Sequence, residues 1–241
     1  MTKRLIGLGE VELVDCMGGD LSTVNSARIS YDRRKYEMDS KDERLIEFLW
    51  DAGHTSPSRH SVLQFRILAP IFVLRQWMKH TVGCAWNERS GRYVVFELEH
   101  FEPQVIFEED PKVKQGTGTI MEDDIGVKAL MRQAFCDAFD NYRTLLECGV
   151  AREQARAVLP LGMLTSCMWT VSLQAVLHFL DQRLDDHAQY ETRLFAKAVL
   201  ELMVETGRFQ VSLSVWVKGF VEQRPKLSTD PFFKSILERL C

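Results

Sequence analysis

Residues 75–93 read RQWMKHTVGCAWNERSGRY, and they concentrate positive charge in a chain of 241 residues whose formal net charge is -4. The cationic side chains of this stretch are those of Arg75, Lys79, Arg89 and Arg92. Aromatic side chains, which favour burial, lie among them at Trp77, Trp86 and Tyr93. A surface helix followed by a charged loop is the simplest interpretation of a charge run. The aromatic residues instead favour partly buried chemistry or a binding surface.

The first half of this stretch is predicted to be helical. Pro70 suits the first turn of a helix, and nothing between Ile71 and His80 breaks one. Gly83 is placed to end it. On such a helix Gln76 and His80 would share one face, because they are four residues apart.

The end of the stretch, Ser90-Gly91-Arg92, has a composition that suits a phosphate. Ser90 offers a hydroxyl, and Gly91 allows the backbone to approach a ligand closely. Arg92 can bind phosphate oxygens in a bidentate manner. Ser90 is also a candidate nucleophile, but no general base adjoins it in the sequence, so phosphate binding is preferred.

The whole stretch resembles the signature of the flavin-dependent thymidylate synthases, in which a glutamine and an Arg-His-Arg triplet precede Asn-Glu-x-Ser-x-Arg-Tyr. The matching residues are Gln76, His80, Asn87, Glu88, Ser90, Arg92 and Tyr93. Lys79 and Thr81 replace the two arginines of the triplet. The spacer between Thr81 and Ser90 is one residue longer than in the family.

Two earlier segments resemble motifs of the same family. Residues 27–31, Ala-Arg-Ile-Ser-Tyr, are similar to a motif whose serine, here Ser30, contacts the flavin. Residues 54–60 are similar to a His-x-Thr-Pro-x-Glu-His loop that faces the flavin, with Ser56 in place of the threonine. Arg59 stands where the family has a glutamate, so an anion is replaced by a cation.

Two later segments extend the resemblance. Arg156 lies in an Ala-Arg-x-x-Leu-Pro sequence whose arginine binds the nucleotide phosphate in the family. The segment Thr170 to Glu191 is similar to a helical motif, and its matches are His178, Arg183, His187, Ala188 and Gln189. Ser172 replaces an asparagine of that motif, and Gln174 replaces an arginine. The motifs span roughly Ala27 to Gln189 in the family's order.

The resemblance implies roles for individual residues. Arg183 would polarise the pyrimidine of dUMP and, with His54, form the catalytic group. The residues implied to bind dUMP are Gln76, Glu88, Ser90, Gly91, Arg92, Arg156 and Arg183. Those implied to bind FAD are Ser30, His54, Ser56, Lys79, His80, Glu88, Ser172, His178 and His187. No metal ligand is implied.

The resemblance also implies a fold and a reaction. The fold would be α+β, with a central antiparallel sheet flanked by helices, in a homotetramer with shared active sites. The reaction would be reductive methylation of dUMP to dTMP with 5,10-methylenetetrahydrofolate, FAD and NADPH. A relative that makes another C5-modified nucleotide, such as a hydroxymethylated one, is an alternative. A nucleotide-binding protein that has lost the flavin is another.

Composition limits the class of protein. A hydrophobic content of 46% and a charged content of 27% are ordinary for a globular protein. No run of eighteen apolar residues predicts a membrane span, and mild acidity argues against a general nucleic-acid-binding surface. Six cysteines without CxxC spacing predict reduced thiols, mostly in the core, of a cytoplasmic protein.

Hydrophobic periodicity predicts the remaining elements of a single catalytic domain, residues 1–241. Strands are predicted at 10–14, 61–68 and 93–106, and a buried strand-like segment at 161–171. Helices are predicted at 20–28, with Asp20 as the N-cap, and at 41–52, 129–148 and 190–206. Residues 107–124 lack periodicity and are predicted to form a mobile loop.

Overall fold

One antiparallel sheet lies at the centre of the molecule. The structure, a computed structural model, describes residues 2–7, 9–111 and 118–240. Among these residues five strands pair in the order β1-β2-β3-β5-β4. They are β1 (Thr2–Ile6), β2 (Gly9–Met17), β3 (Val62–Pro70), β4 (Cys84–Glu88) and β5 (Leu164–Ser172).

Helices flank this sheet, so the predicted α+β class is confirmed. They are α1 (Asp20–Arg28), α2 (Ser40–Asp51), α3 (Ile71–Trp77), α4 (Ile125–Glu147), α5 (Arg152–Ala155), α6 (Leu173–Arg183), α7 (Tyr190–Glu205), α8 (Gln210–Glu222) and α9 (Pro231–Leu240). Short 3₁₀ turns lie at Ile29–Tyr31, Ser56–His60, Arg156–Val158 and Pro225–Thr229.

The core forms between one face of the sheet and helices α3, α6 and α7. Alternate residues of β3 and β5 point into it, as the period of a half-buried strand requires. Trp169 of β5 stacks on Phe65 of β3, with ring centroids 5.6 Å apart. Trp77 of α3 stacks on Phe179 of α6 at 4.6 Å. These buried rings hold the ends of α3 and α6 beside each other.

The prediction of a helix to His80 was wrong, because α3 ends at Trp77. Trp77 is fully buried, and the chain leaves the helix immediately after this anchor. His80 then lies in an irregular segment, where its N–H donates to the carbonyl of Trp77 over 3.0 Å. Gln76 and His80 therefore do not share a helical face.

Strand prediction was also wrong in three places, the first being β1 (Thr2–Ile6), which was not predicted. Residues 84–88 form β4, which pairs with β5, although they read as part of a charged loop. Residues 93–106 contain no strand, and only His100 makes an isolated bridge, to Met163. The backbone there bonds irregularly, with Phe101 N–H donating to Gly162 over 2.7 Å.

Asp20 was predicted to cap its own helix, which was wrong. The residue preceding α1 is Gly19, and the Asp20 carboxylate instead accepts hydrogen bonds from the backbone N–H groups of Val211 and Ser212 at 2.8 and 3.1 Å. Those groups belong to the first turn of α8, where helix N–H groups lack partners within the helix. Asp20 thus caps α8 and ties it to α1.

The other helix predictions were confirmed within a few residues. Gly53 and Gly149 follow α2 and α4 with φ angles of +66° and +81°, the left-handed conformation that glycine favours at helix C-termini. Of the segment predicted to be a mobile loop, residues 112–117 lie outside the described residues. Its ends pair through an isolated bridge between Phe107 and Ile120.

The thiols are less buried than predicted. Among the cysteines that the structure describes, which are all free, only Cys167 is fully buried. Cys16, Cys84 and Cys136 are partly buried and Cys148 is exposed. Within the described helices, none is both long enough and apolar enough to cross a membrane.

Candidate active site

Arg183 joins two distant parts of the chain. It is the last residue of α6, and the helix is anchored by buried residues one turn earlier, including Phe179 and Leu180. Its Nε atom donates to Nε2 of His80 over 3.1 Å, and one terminal nitrogen donates to the carbonyl of Gln76 over 3.3 Å. The structure therefore brings together three residues that the sequence placed in one site.

His80 accepts the hydrogen bond from Arg183, so its Nε2 atom carries no proton. Burial, followed by the charges of Arg183 and His178, lowers the pKa of His80 to about 4. The His80 ring also lies edge-on to Phe179 and His178, with centroids 5.2 and 5.8 Å away. A neutral imidazole is thus available to orient the guanidinium.

Gln76 is oriented by a chain of side chains that the sequence did not assign to the site. Its Nε2 atom donates to Oε1 of Gln189, and Gln189 donates to a carboxylate oxygen of Glu191 over 2.8 Å. Gln189 precedes α7 and Glu191 lies in its first turn. Gln189 matches the family motif in the sequence, and that match was the signal that could have placed it in the site.

A cavity of about 270 Å³ collects several of the residues implied to bind dUMP. Its lining comprises Ile71, Glu88, Arg89, Ser90, Phe96, Arg156, Leu159 and Met163. β4 positions Glu88 as its last residue, and the following turn is closed by Tyr93 N–H donating to the Ser90 carbonyl over 3.0 Å. A hydroxyl, a carboxylate and guanidinium groups thus share a small space.

Gly91 is required by the packing beside this cavity. A Cβ atom added there would overlap the Phe96 ring and would lie 3.0 Å from Cδ of Arg156. Arg92 has a different environment from the other implied phosphate ligands. Its side chain is 59% exposed and its Nε lies 3.2 Å from a carboxylate oxygen of Glu153.

Arg89 is a member of the cavity that the family signature does not assign, because it occupies a variable position of that signature. A terminal nitrogen donates to the carbonyl of Leu164 over 3.0 Å, and the guanidinium lies 4.9 Å from the centre of the Phe96 ring. Its Nε atom is buried and has no hydrogen-bond partner among the described residues. The charge concentration around residue 89 was the only sequence signal for it.

The α6 helix presents a polar row at four-residue spacing, formed by Gln174, His178 and Gln182. The Nε2 atoms of His178 and Gln182 lie 3.3 Å apart. His178 thus faces both its helical neighbour and the His80 ring. His187 was expected in the same helix, but α6 ends at Arg183 and His187 lies in the exposed turn that follows.

The other residues implied to bind the flavin lie at the surface. Ser30 is exposed in the 3₁₀ turn after α1, and Lys79 is exposed after α3. Exposed residues before β3 include Ser56 and His54, whose ring lies edge-on to Phe48 of α2 at 6.1 Å. Ser172 has a structural contact, since its hydroxyl accepts from the N–H of Ala175 over 3.3 Å and caps α6.

Fold and site together define a class of protein. The chain carries a cavity lined by guanidinium groups and, elsewhere, an arginine held by a neutral histidine. Such a site suits an enzyme acting on phosphorylated small molecules. Among the described residues, no group of three or more His, Cys, Asp or Glu side chains is arranged to hold a metal ion.

Comparison with known proteins identifies the family. The family model described as thymidylate synthase complementing protein matches residues 12–206. Flavin-dependent thymidylate synthases are among the relatives: that of Kosmotoga olearia is 39% identical over 204 residues, which cover 84% of this chain and 88% of that protein. That of Thermotoga neapolitana is 40% identical over 197 residues, covering 82% and 86%. This chain belongs to the flavin-dependent thymidylate synthase family, as its signature residues predicted.

Solved structures agree with this assignment. The UMP/dUMP methylase PolB from Streptomyces cacaoi, bound with 5-Br dUMP, superposes with a TM-score of 0.78 at 28% identity. The match covers 86% of this chain and 94% of that one.

Proposed function

We propose that the enzyme converts dUMP to dTMP by reductive methylation, with methylenetetrahydrofolate as carbon donor and NADPH as reductant. The contact between Arg183 and His80 is the observation that carries this proposal. His80, which stays neutral near neutral pH, holds the Arg183 guanidinium in place. The same guanidinium contacts the carbonyl of Gln76. Membership of the family supplies the reaction class.

The cavity beside β4 accounts for recognition of the nucleotide phosphate. Arg156 and the Ser90 hydroxyl line it, and the packing at Gly91 requires a residue without a side chain. Charge-assisted hydrogen bonds from guanidinium groups are the strongest contacts available to a phosphate. Glu88, at the same cavity, would accept hydrogen bonds from the nucleoside.

Arg183 would act on the pyrimidine. A guanidinium has more N–H donors than the contacts to His80 and Gln76 use, so donors remain for a carbonyl edge. Hydrogen bonds to the uracil O2 edge would stabilise negative charge on the ring while C5 attacks the methylene carbon. Because that charge grows in the transition state, the contact accelerates the reaction rather than merely tightening binding.

The surface near α6 fits a flavin dinucleotide. The row Gln174, His178 and Gln182 offers donors and acceptors, and the His80 ring lies against it. We propose that this surface holds FAD, together with Ser30, His54, Ser56, Lys79 and His187. Bound there, a reduced flavin would supply the hydride that completes the methyl group, with NADPH as the reductant that restores it, and tetrahydrofolate would leave as the bond from its nitrogen to the transferred carbon breaks. The proton lost from C5 of dUMP leaves to solvent.

A homotetramer with shared sites is part of the proposal. Large apolar side chains are exposed around the nucleotide cavity, at Tyr93, Val94, Val95, Val158 and Leu161. Exposed apolar patches of this kind mark protein contact sites. A neighbouring subunit would cover them and close the cavity. We also propose a cytoplasmic location, where nucleotide, folate and NADPH are present together.

UMP is a second candidate substrate, favoured by the similarity to a methylase whose description includes both UMP and dUMP. The residues at 79 and 81 and the longer spacer distinguish this chain from the family signature. A hydroxymethylated product or loss of flavin would be other consequences of these departures. Offering UMP and dUMP in parallel assays separates the substrates.

Flavin titration and NADPH oxidation test the proposal. FAD fluorescence is expected to change on binding, and NADPH oxidation is expected to accelerate when dUMP is added. Addition of dCMP serves as the control, since its base presents a different edge to Arg183. Absence of any fluorescence change with FAD, or equal acceleration by dCMP, would count against the proposed reaction.

A further inference from the structure

Arg59 and Gln174 are in contact, although 115 residues separate them. The Nε atom of Arg59 donates to Oε1 of Gln174, and Nε2 of Gln174 donates to the hydroxyl of Thr55 over 2.8 Å. Both polar atoms of the amide are therefore used, which determines its orientation. Arg59 is exposed, and within the described part of the chain its hydrogen bond uses only Nε, so its terminal nitrogens are available to a ligand.

Each of these two residues departs from the family motifs, and the departures are complementary. Arg59 replaces a glutamate and Gln174 replaces an arginine. A glutamate–arginine contact and an arginine–glutamine contact each contain one cation. An arginine at both positions would bring two cations together, which is unfavourable. In this chain the cation of the contact therefore lies on the 3₁₀ turn Ser56–His60, whereas the family motif has its arginine at the position of Gln174 on α6.

The position of this turn suggests what the cation binds. The turn Ser56–His60 packs between α1 and α6. On the α1 side a cavity of about 380 Å³ is lined by residues that include Ile29, Arg33 and His60. On the α6 side lies the polar row with His178, which contacts the His80 ring. The diphosphate of a dinucleotide lies between its two halves, so a dinucleotide lying across this surface would carry its diphosphate near the turn.

We infer that Arg59 supplies a cation for the diphosphate of the bound flavin dinucleotide, and that Gln174 holds its guanidinium in place. This inference rests on the proposed function, because it assumes that FAD lies along α6. A guanidinium can bind diphosphate oxygens in a bidentate manner. Because Nε of Arg59 is already anchored, the side chain loses less conformational entropy when the ligand binds. Thr55 completes the anchor by orienting the amide of Gln174.

A charge-reversal and rescue experiment tests it on the full chain. Arg59→Glu should weaken FAD binding by about ten- to a hundred-fold, because it removes a charge-assisted contact and adds repulsion. Arg59→Glu combined with Gln174→Arg should restore affinity to within about threefold of the parent protein, since the cation returns on α6. Riboflavin, which lacks phosphate, should bind all variants alike. Arg143→Glu, an exposed charge reversal on α4, is the matched control.

The outcomes separate this inference from the proposed function. Unchanged FAD affinity in Arg59→Glu, or an equal loss of riboflavin affinity, would overturn the role of Arg59 while leaving a flavoenzyme. Failure of the second substitution to rescue FAD binding would overturn the coupling. Failure of the parent protein to bind FAD would overturn both. Arg59→Gln, a milder change, should show a smaller loss and guards against a folding defect in the glutamate variant.

Discussion

Nε of Arg183 donates to Nε2 of His80 over 3.1 Å, which joins the end of α6 to the segment that follows α3. The bond needs an unprotonated Nε2, and the lowered pKa of His80 keeps it so near neutral pH. The same guanidinium bonds the carbonyl of Gln76. Two partners from one short stretch of chain thus hold Arg183. They fix the orientation of its guanidinium and therefore of the N–H groups that they do not use.

Replacement of Arg183 by lysine should abolish most turnover while FAD remains bound. A lysine offers a point charge in place of a planar fork, so it cannot keep both partners and contact a pyrimidine. Loss of a preorganised donor to a developing charge costs about a hundred- to a thousand-fold in rate. Single-turnover product formation, measured beside FAD affinity, checks this, with Arg143→Lys on α4 as the control. Parent-like turnover would remove Arg183 from the mechanism.

Alanine at Arg156 should weaken dUMP binding by about ten- to a hundred-fold, since one charge-assisted phosphate contact is lost. Arg156 lines the cavity. Arg92→Ala should also weaken binding, but by less, because Arg92 must leave Glu153 before it reaches a phosphate. Isothermal titration with dUMP measures both, and FAD affinity should change little. Unchanged dUMP affinity in both variants would refute the phosphate assignment.

Protonation of His80 should destabilise the fold in acid. Its folded pKa of about 4 lies below the ordinary value of 6.5, so between these values the unfolded chain binds more protons. Stability should therefore fall as pH drops from about 6.5 to about 4, and this contribution should be constant above that range. His80→Gln retains an acceptor without titrating. Thermal unfolding across this range should show a shallower loss in that variant, and parallel profiles would contradict the assignment.

Removal of the Asp20 carboxylate should destabilise the protein by about 1–3 kcal/mol, because buried N–H groups at the start of α8 lose their acceptor. Asp20→Ala tests this by urea unfolding. Asp51→Ala, which removes an exposed carboxylate at the end of α2, is the control. A change below about 0.5 kcal/mol for Asp20→Ala, as is usual for surface substitutions, would show that α8 does not depend on this cap.

Periodic segments were predictable from the sequence because their pattern is local. β3 buries alternate residues such as Phe65, and α7 carries apolar residues at helical spacing. β4 was not predictable, since this five-residue segment within a charged stretch has no strand pattern of its own and forms a strand by pairing with β5. The prediction for Asp20 was wrong for a related reason, because the N–H groups that it caps, those of Val211 and Ser212, are about 190 residues away in the sequence.

The candidate site divides in the same way. Motif matches indicated which residue types matter, including Arg183 and His80, but no local pattern shows that their side chains touch. Arg59 and Gln174 looked like two unrelated losses in the sequence, whereas the structure places them in one contact. The sequence identified Arg89 only as one of several charged residues. Its position in the cavity depends on the pairing of β4 with β5, which no local pattern predicts.

Product analysis tests the central proposal most directly. The protein is incubated with dUMP, methylenetetrahydrofolate, FAD and NADPH, and the nucleotides are separated and identified by mass. The account predicts thymidylate, formed only when all four components are present and lost in Arg183→Lys. A hydroxymethylated nucleotide, or unchanged dUMP in the presence of bound FAD, would contradict it.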